Sequence, residues 1–74
     1  MINIIVAPGI GEFNLQNNKF TIEHKNITLN ELLKDLIIDK NQVGAILING
    51  IPKKFTQKVE DNCEIYILPI LGGG

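Results

Sequence analysis

The chain contains no arginine and no tryptophan, one histidine and one cysteine, and each scarcity removes a class of explanation. A single cysteine cannot close an internal disulfide, and a single histidine without any Cys-x-x-Cys pair offers no metal framework to staple a fold. Stability therefore has to come from packing. Seven basic residues stand against eight acidic ones for a net charge of -1, and only Lys53 and Lys54 are adjacent. That leaves no concentrated basic surface of the kind phosphate backbones require, so nucleic acid is not an expected partner. No apolar run approaches the roughly 20 residues of a membrane span. The opening MINIIVAPG lacks the basic start and the long apolar run of a secretory signal. The expectation is a cytoplasmic protein with no membrane contact.

What is present is the pattern of one small domain. Seventy-four residues, 45% of them hydrophobic, leave room for a single core that must be compact and well patterned. The run INIIVA, Ile2 to Ala7, is β-branched and closed by PGIG, which reads as a first strand and a turn. A turn at Asn17-Asn18 and a short strand from Lys19 to Glu23, with Phe20 and Ile22 on one face, complete a hairpin. In TLNELLKDLIID, Thr28 and Glu31 form a capping box. Leu29, Leu32, Leu33, Leu36 and Ile37 follow one helical face, predicting a helix from Leu29 to Ile38 with Asp39-Lys40-Asn41 as its polar exit. GAILINGI, Gly44 to Ile51, is a third strand broken by Asn-Gly, a hairpin-type turn signal. A compact connection with one short strand leads to a last strand, Cys63 to Leu68, ended by Pro69.

The order β-β-α-β-β-β with one helix predicts an α+β fold, a β-grasp of the ubiquitin-like kind. Its mixed sheet has four to five strands, the helix on one face, and the first and last strands adjacent at the centre. Residues 1–68 form this domain and 69–74 a flexible glycine-rich tail. Both sheet faces carry apolar residues. Ile5, Tyr66 and Leu68, with Leu47 or Ile46, are expected on the face away from the helix as a patch that another protein covers, continuing into Pro69, Ile70 and Leu71.

The element order, the ILING strand and turn, the KVEDNCEIYILP approach to the last strand and the terminal glycines together resemble the MoaD/ThiS family of ubiquitin-like sulfur carriers over essentially the whole chain. The proline after the last strand and the long hairpin before the helix look more like the small subunit of molybdopterin synthase than like the thiamine carrier. The resemblance implies a carrier, not an enzyme. Its working group would be the carboxylate of Gly74, adenylylated by an ATP-using activating enzyme similar to the ubiquitin-activating enzymes and then converted to a thiocarboxylate. A larger synthase subunit would take the sulfur for molybdopterin, the carrier itself binding no cofactor. The thiamine thiazole and cysteine-type pathways, or a ubiquitin-like interaction or conjugation module, are the alternatives. Glycine suits the chemistry: without Cβ atoms, Gly72, Gly73 and Gly74 can pass through a narrow channel and leave the reacting carbonyl unhindered. The segment from Pro69 to Gly74 can extend roughly 20 Å, enough to reach a buried site while the domain stays outside. The family's usual ending is a glycine pair, and this sequence has three.

Four further features have ordinary readings. Cys63 opens the last strand on its core side without an activating neighbour in sequence, so it reads as structural. His24, between Glu23 and Lys25, reads as solvated, and Glu60, Asp61 and Glu64 as a solvated turn or a rim contact for a basic partner, as Lys53 and Lys54 could be for an acidic one.

Overall fold

The computed structural model describes residues 1–70. Five strands form one mixed sheet: β1 (Ile2–Val6), β2 (Lys19–Ile22), β3 (Val43–Ile48), β4 (Ile51–Lys53) and β5 (Glu64–Pro69). The helix α1 (Leu29–Asp35) and a short 3-10 turn (Lys40–Gln42) lie between β2 and β3. The strands run in the order β2-β1-β5-β3-β4, with β1 and β5 parallel and every other pair antiparallel. The expected central pairing of first and last strands is therefore present. No helix among the described residues is long and apolar enough to cross a membrane.

Alternation along the central strands sets the two layers. Ile2, Ile4 and Val6 of β1, Ile46 and Ile48 of β3, and Ile65 and Ile67 of β5 are buried together with Leu29, Leu32 and Leu33 of α1. The helix begins on a complete capping box: Glu31 N–H donates to Thr28 Oγ1 (3.2 Å) while Thr28 N–H donates to Glu31 Oε1 (2.9 Å). Two more of its first amides are met from the connection before β5. Leu29 N–H donates to the Gln57 carbonyl and Asn30 N–H to the Phe55 carbonyl, each at 2.9 Å, so the connection serves as a backbone cap for the orphan donors of the first turn.

The far end of α1 departs from the sequence reading. The helix stops at Asp35 with Leu36 as its cap, and Ile37, expected on the apolar stripe, adopts φ 56° and is 90% exposed. Ile38 takes its place in the core. The hydrogen bonds explain the exchange: Ile37 N–H donates to Lys34 O (3.0 Å) and Ile38 N–H to Leu33 O (2.9 Å), the pairing of a Schellman terminator. That motif needs one left-handed residue, and here isoleucine fills a position glycine would occupy without strain.

Smaller differences have equally local causes. Asn18 is not at a turn tip: the turn lies at Asn14 to Asn17, and Asn18 is buried, its backbone carbonyl accepting from Val6 N–H (2.8 Å) and its Nδ2 donating to Val6 O (2.9 Å). The last strand is displaced by one residue at each end, Glu64–Pro69 in place of Cys63 to Leu68. Pro69 is accommodated because the β3–β5 register shifts between Val43 and Ala45, which relaxes the ladder where proline has no N–H to give. Asn49-Gly50 forms the expected tight turn between β3 and β4, with φ 51° and 83°, the two left-handed residues of a type I′ turn.

Candidate functional site

Of the residues expected to meet a partner, Ile5, Leu47, Tyr66 and Leu68 come together on the sheet face opposite α1. Tyr66 of β5 is paired with Ile5 of β1 on one side and with Leu47 of β3 on the other. The three side chains thus form one transverse row across the central strands, flanked by Lys19 of β2 and Pro52 of β4 in the same register. Ile5 and Leu47 are half-buried by their neighbours and Tyr66 is 38% exposed. Of the alternatives Leu47 and Ile46, it is Leu47 that belongs to this face; Ile46 is fully buried under the helix. Leu68 stands one row nearer the end of β5, paired with Ala45. Gly44, Ala45, Leu68 and Pro69 line an apolar depression of about 300 Å³ there.

The chain leaves this face at Pro69 and Ile70. Ile70 is half-exposed, and its N–H donates to the Gln42 carbonyl at 3.0 Å. The expected sites Leu71, Gly72, Gly73 and Gly74 lie outside the described residues.

The other titratable groups take structural places. Cys63 is buried and its thiol donates to the Glu60 carbonyl (3.0 Å). Burial, aided by the Glu60 charge, pushes that thiol up, away from the thiolate a nucleophile needs. His24 is exposed, with Nε2 3.3 Å from the Val59 carbonyl; a carbonyl only accepts, so in this contact the nitrogen is the donor. Two of the acidic residues before β5 are ion-paired. Glu60 pairs with Lys53 at 3.7 Å, and Asp61 pairs with the Met1 ammonium at 3.2 Å. The Asn62 backbone N–H, and then that ammonium, hold Asp61 below the usual carboxylate range. Lys53 shares the register position of Ile46 and so lies on the helix side of β4, away from the Tyr66 row. Among the described residues, no group of three or more His, Cys, Asp and Glu side chains converges as a metal site.

Sequence reasoning missed Gln42, whose carbonyl accepts from Ile70 N–H, and Gly44, whose missing Cβ leaves room for the Pro69 main chain. Neither belongs to a motif, and their role depends on a segment of chain more than twenty residues away.

A five-stranded mixed sheet gripping one helix, with its first and last strands parallel at the centre, defines a ubiquitin-like β-grasp protein whose uncovered face adjoins the end of its last strand. The sequence profile of the ThiS family matches residues 12–74, and the chain belongs to that family. Its members are small, non-catalytic sulfur carriers that work with activating and sulfur-transfer partners. No individual curated protein matched the sequence.

Proposed function

We propose that this chain carries sulfur as a thiocarboxylate on Gly74 and delivers it to the pterin precursor of a molybdenum or tungsten cofactor, as the small subunit of a molybdopterin-synthase-like complex. The family match running through Gly72, Gly73 and Gly74 carries the reading. Pro69 at the end of β5 and the long connection between β1 and β2 support the pterin branch, because both are features in which the sequence resembles that subunit.

The chemistry follows from what a carboxylate cannot do. It is a poor electrophile at neutral pH, so the Gly74 oxygen first attacks the α-phosphate of ATP on the activating enzyme, giving the acyl adenylate and releasing pyrophosphate. A sulfide-equivalent nucleophile then attacks the acyl carbon and AMP leaves, which places sulfur on the carbonyl. In delivery the thiocarboxylate sulfur attacks an electrophilic carbon of the acceptor and displaces an oxygen leaving group from it, and water then hydrolyses the acyl–sulfur bond, leaving the sulfur on the acceptor and restoring the Gly74 carboxylate. The domain supplies recognition: the Ile5–Tyr66–Leu47 row with Leu68, continuing through Pro69, Ile70 and Leu71, is the surface both partners grip. An apolar cluster with a central tyrosine is the composition of an interface core.

The test is to incubate the protein with an activating enzyme, ATP and a sulfur donor, followed by intact-mass measurement. Replacement of one oxygen by sulfur, mapped to the terminal peptide, is the expected result. Subsequent loss of that sulfur to a pterin precursor in the presence of a large synthase subunit supports the pterin branch; loss only to a thiazole-forming system moves the assignment to thiamine. An unchanged mass with an enzyme that thiolates its own carrier would refute the carrier reading.

A further inference from the structure

Gly44 occupies β3 where β5 ends, and its reason for being glycine is space. The glycines that need a left-handed backbone among the described residues are Gly9, Gly11 and Gly50; Gly44 is not one of them. A Cβ at Gly44 would stand 2.6 Å from the Pro69 carbonyl oxygen and 3.1 Å from both the Pro69 carbonyl carbon and Ile70 Cα. All three are backbone atoms, so no side-chain rotation could relieve the overlap. The main chain of β5 passes against the bare main chain of β3, at the place where the register shifts between Val43 and Ala45.

Two residues before Gly44, the contact is fastened. The Gln42 carbonyl accepts from Ile70 N–H at 3.0 Å, and the Gln42 side-chain Oε1 accepts from Gly11 N–H at 3.2 Å. One residue therefore holds the last described residue of the chain through its backbone and the β1–β2 connection through its side chain.

We propose that Gly44 and Gln42 are positioning residues that form a mounting for the main chain at Pro69 and Ile70, the last described residues before the reactive glycines. The consequence for sulfur carriage rests on the function proposed above. An activating enzyme has to admit a narrow peptide while it holds the domain by its open face. A main chain already held at Ile70 reduces the backbone freedom lost on docking, which strengthens binding without touching the chemistry at Gly74. Gly44 thus acts on recognition of the carrier and leaves turnover of bound carrier alone.

The experiment uses the full chain and three variants: Gly44→Ala, Ile70→Pro, which deletes the donor N–H, and Ile70→Ala, which removes the same side chain but keeps it. Hydrogen exchange followed by NMR should show the Ile70 amide protected in the parent and about tenfold less so in Gly44→Ala, with Ile65 and Ile67 unchanged; a tenfold loss corresponds to about 1.4 kcal/mol. With an activating enzyme, ATP–pyrophosphate exchange should give a KM about tenfold higher for Gly44→Ala at nearly unchanged kcat, roughly the cost of ordering one residue's backbone. Ile70→Pro should show the same split beyond whatever Ile70→Ala shows. Parent-like protection of Ile70 in Gly44→Ala, or parent-like KM in folded Gly44→Ala and Ile70→Pro, overturns the proposal. If Gly44→Ala does not fold, Ile70→Pro against Ile70→Ala decides it. If the parent itself is not adenylylated by an enzyme active on its own carrier, the carrier reading falls, while the exchange data still decide the mounting.

Discussion

Ile67 and Tyr66 are consecutive residues of β5, and they face opposite worlds. Ile67 is fully buried beneath α1, whereas Tyr66 sits 38% exposed in the centre of a sheet face that no element of the described chain covers. Both are large and apolar-bodied, both lie on the central strand, and both have paired neighbours on either side. The difference lies in the layer above them. The helix turns one face into a core, where every methyl group counts toward stability, and leaves the other as a surface whose value is realised on contact with another protein.

The largest effect that would break this contrast lies on the covered face. Leu33→Ala or Ile67→Ala should cost about 2–5 kcal/mol of folding stability, read by urea unfolding, because each empties a site that cannot collapse fully. Tyr66→Asp should leave the isolated domain within roughly 1 kcal/mol of the parent. It should weaken binding to an activating enzyme by about 2 kcal/mol or more in calorimetry, as truncating a central aromatic anchor does. Equal losses of stability from the two strand positions would abolish the distinction between the faces.

A third change tests the helix side, where Ile37 is the exception. It is an apolar residue beside the core that points to solvent from a left-handed backbone. Ile37→Gly should raise stability by about 1 kcal/mol in urea unfolding, since the strain of a β-branched residue there exceeds glycine's extra freedom in the unfolded chain.

The smallest effect is a pH dependence at the other end of α1. The Thr28 backbone N–H, and then its hydroxyl, hold the Glu31 carboxylate below its ordinary value of 4.5. A carboxylate with a lowered folded pKa contributes stability that is complete above its unfolded value and is lost as pH falls through the folded one. Unfolding midpoints should therefore drop slightly from about pH 4.5 downward, and Glu31→Gln should flatten that part of the curve. An identical acid limb in the variant would remove Glu31 from the account.

How much of this was legible in advance depends on the range of the forces involved. The capping box at Thr28 and Glu31, the Asn49-Gly50 turn and the alternation of β1 and β5 are local patterns, and each is present in the fold. The membership of the open face was also readable, because Ile5, Tyr66 and Leu68 fall out of phase with the buried residues of their own strands. The choice of Leu47 over Ile46 was not, since β3 is apolar throughout and only the position of the helix decides which side is inside. The exchange of Ile37 for Ile38 was hidden for a related reason. A 3.6-residue period continues on paper beyond the point where the Schellman hydrogen bonds turn the chain, and no glycine marks the stop.

The kinds of element, their order and the start of the helix follow from residues close together along the chain, because those features depend on the conformational preferences of neighbours. Tertiary structure alone decided which face of the sheet is covered, where the helix ends and why position 44 has no side chain. Those outcomes depend on contact between segments remote in sequence, where a Cβ at Gly44 would meet the backbone of Pro69 at 2.6 Å.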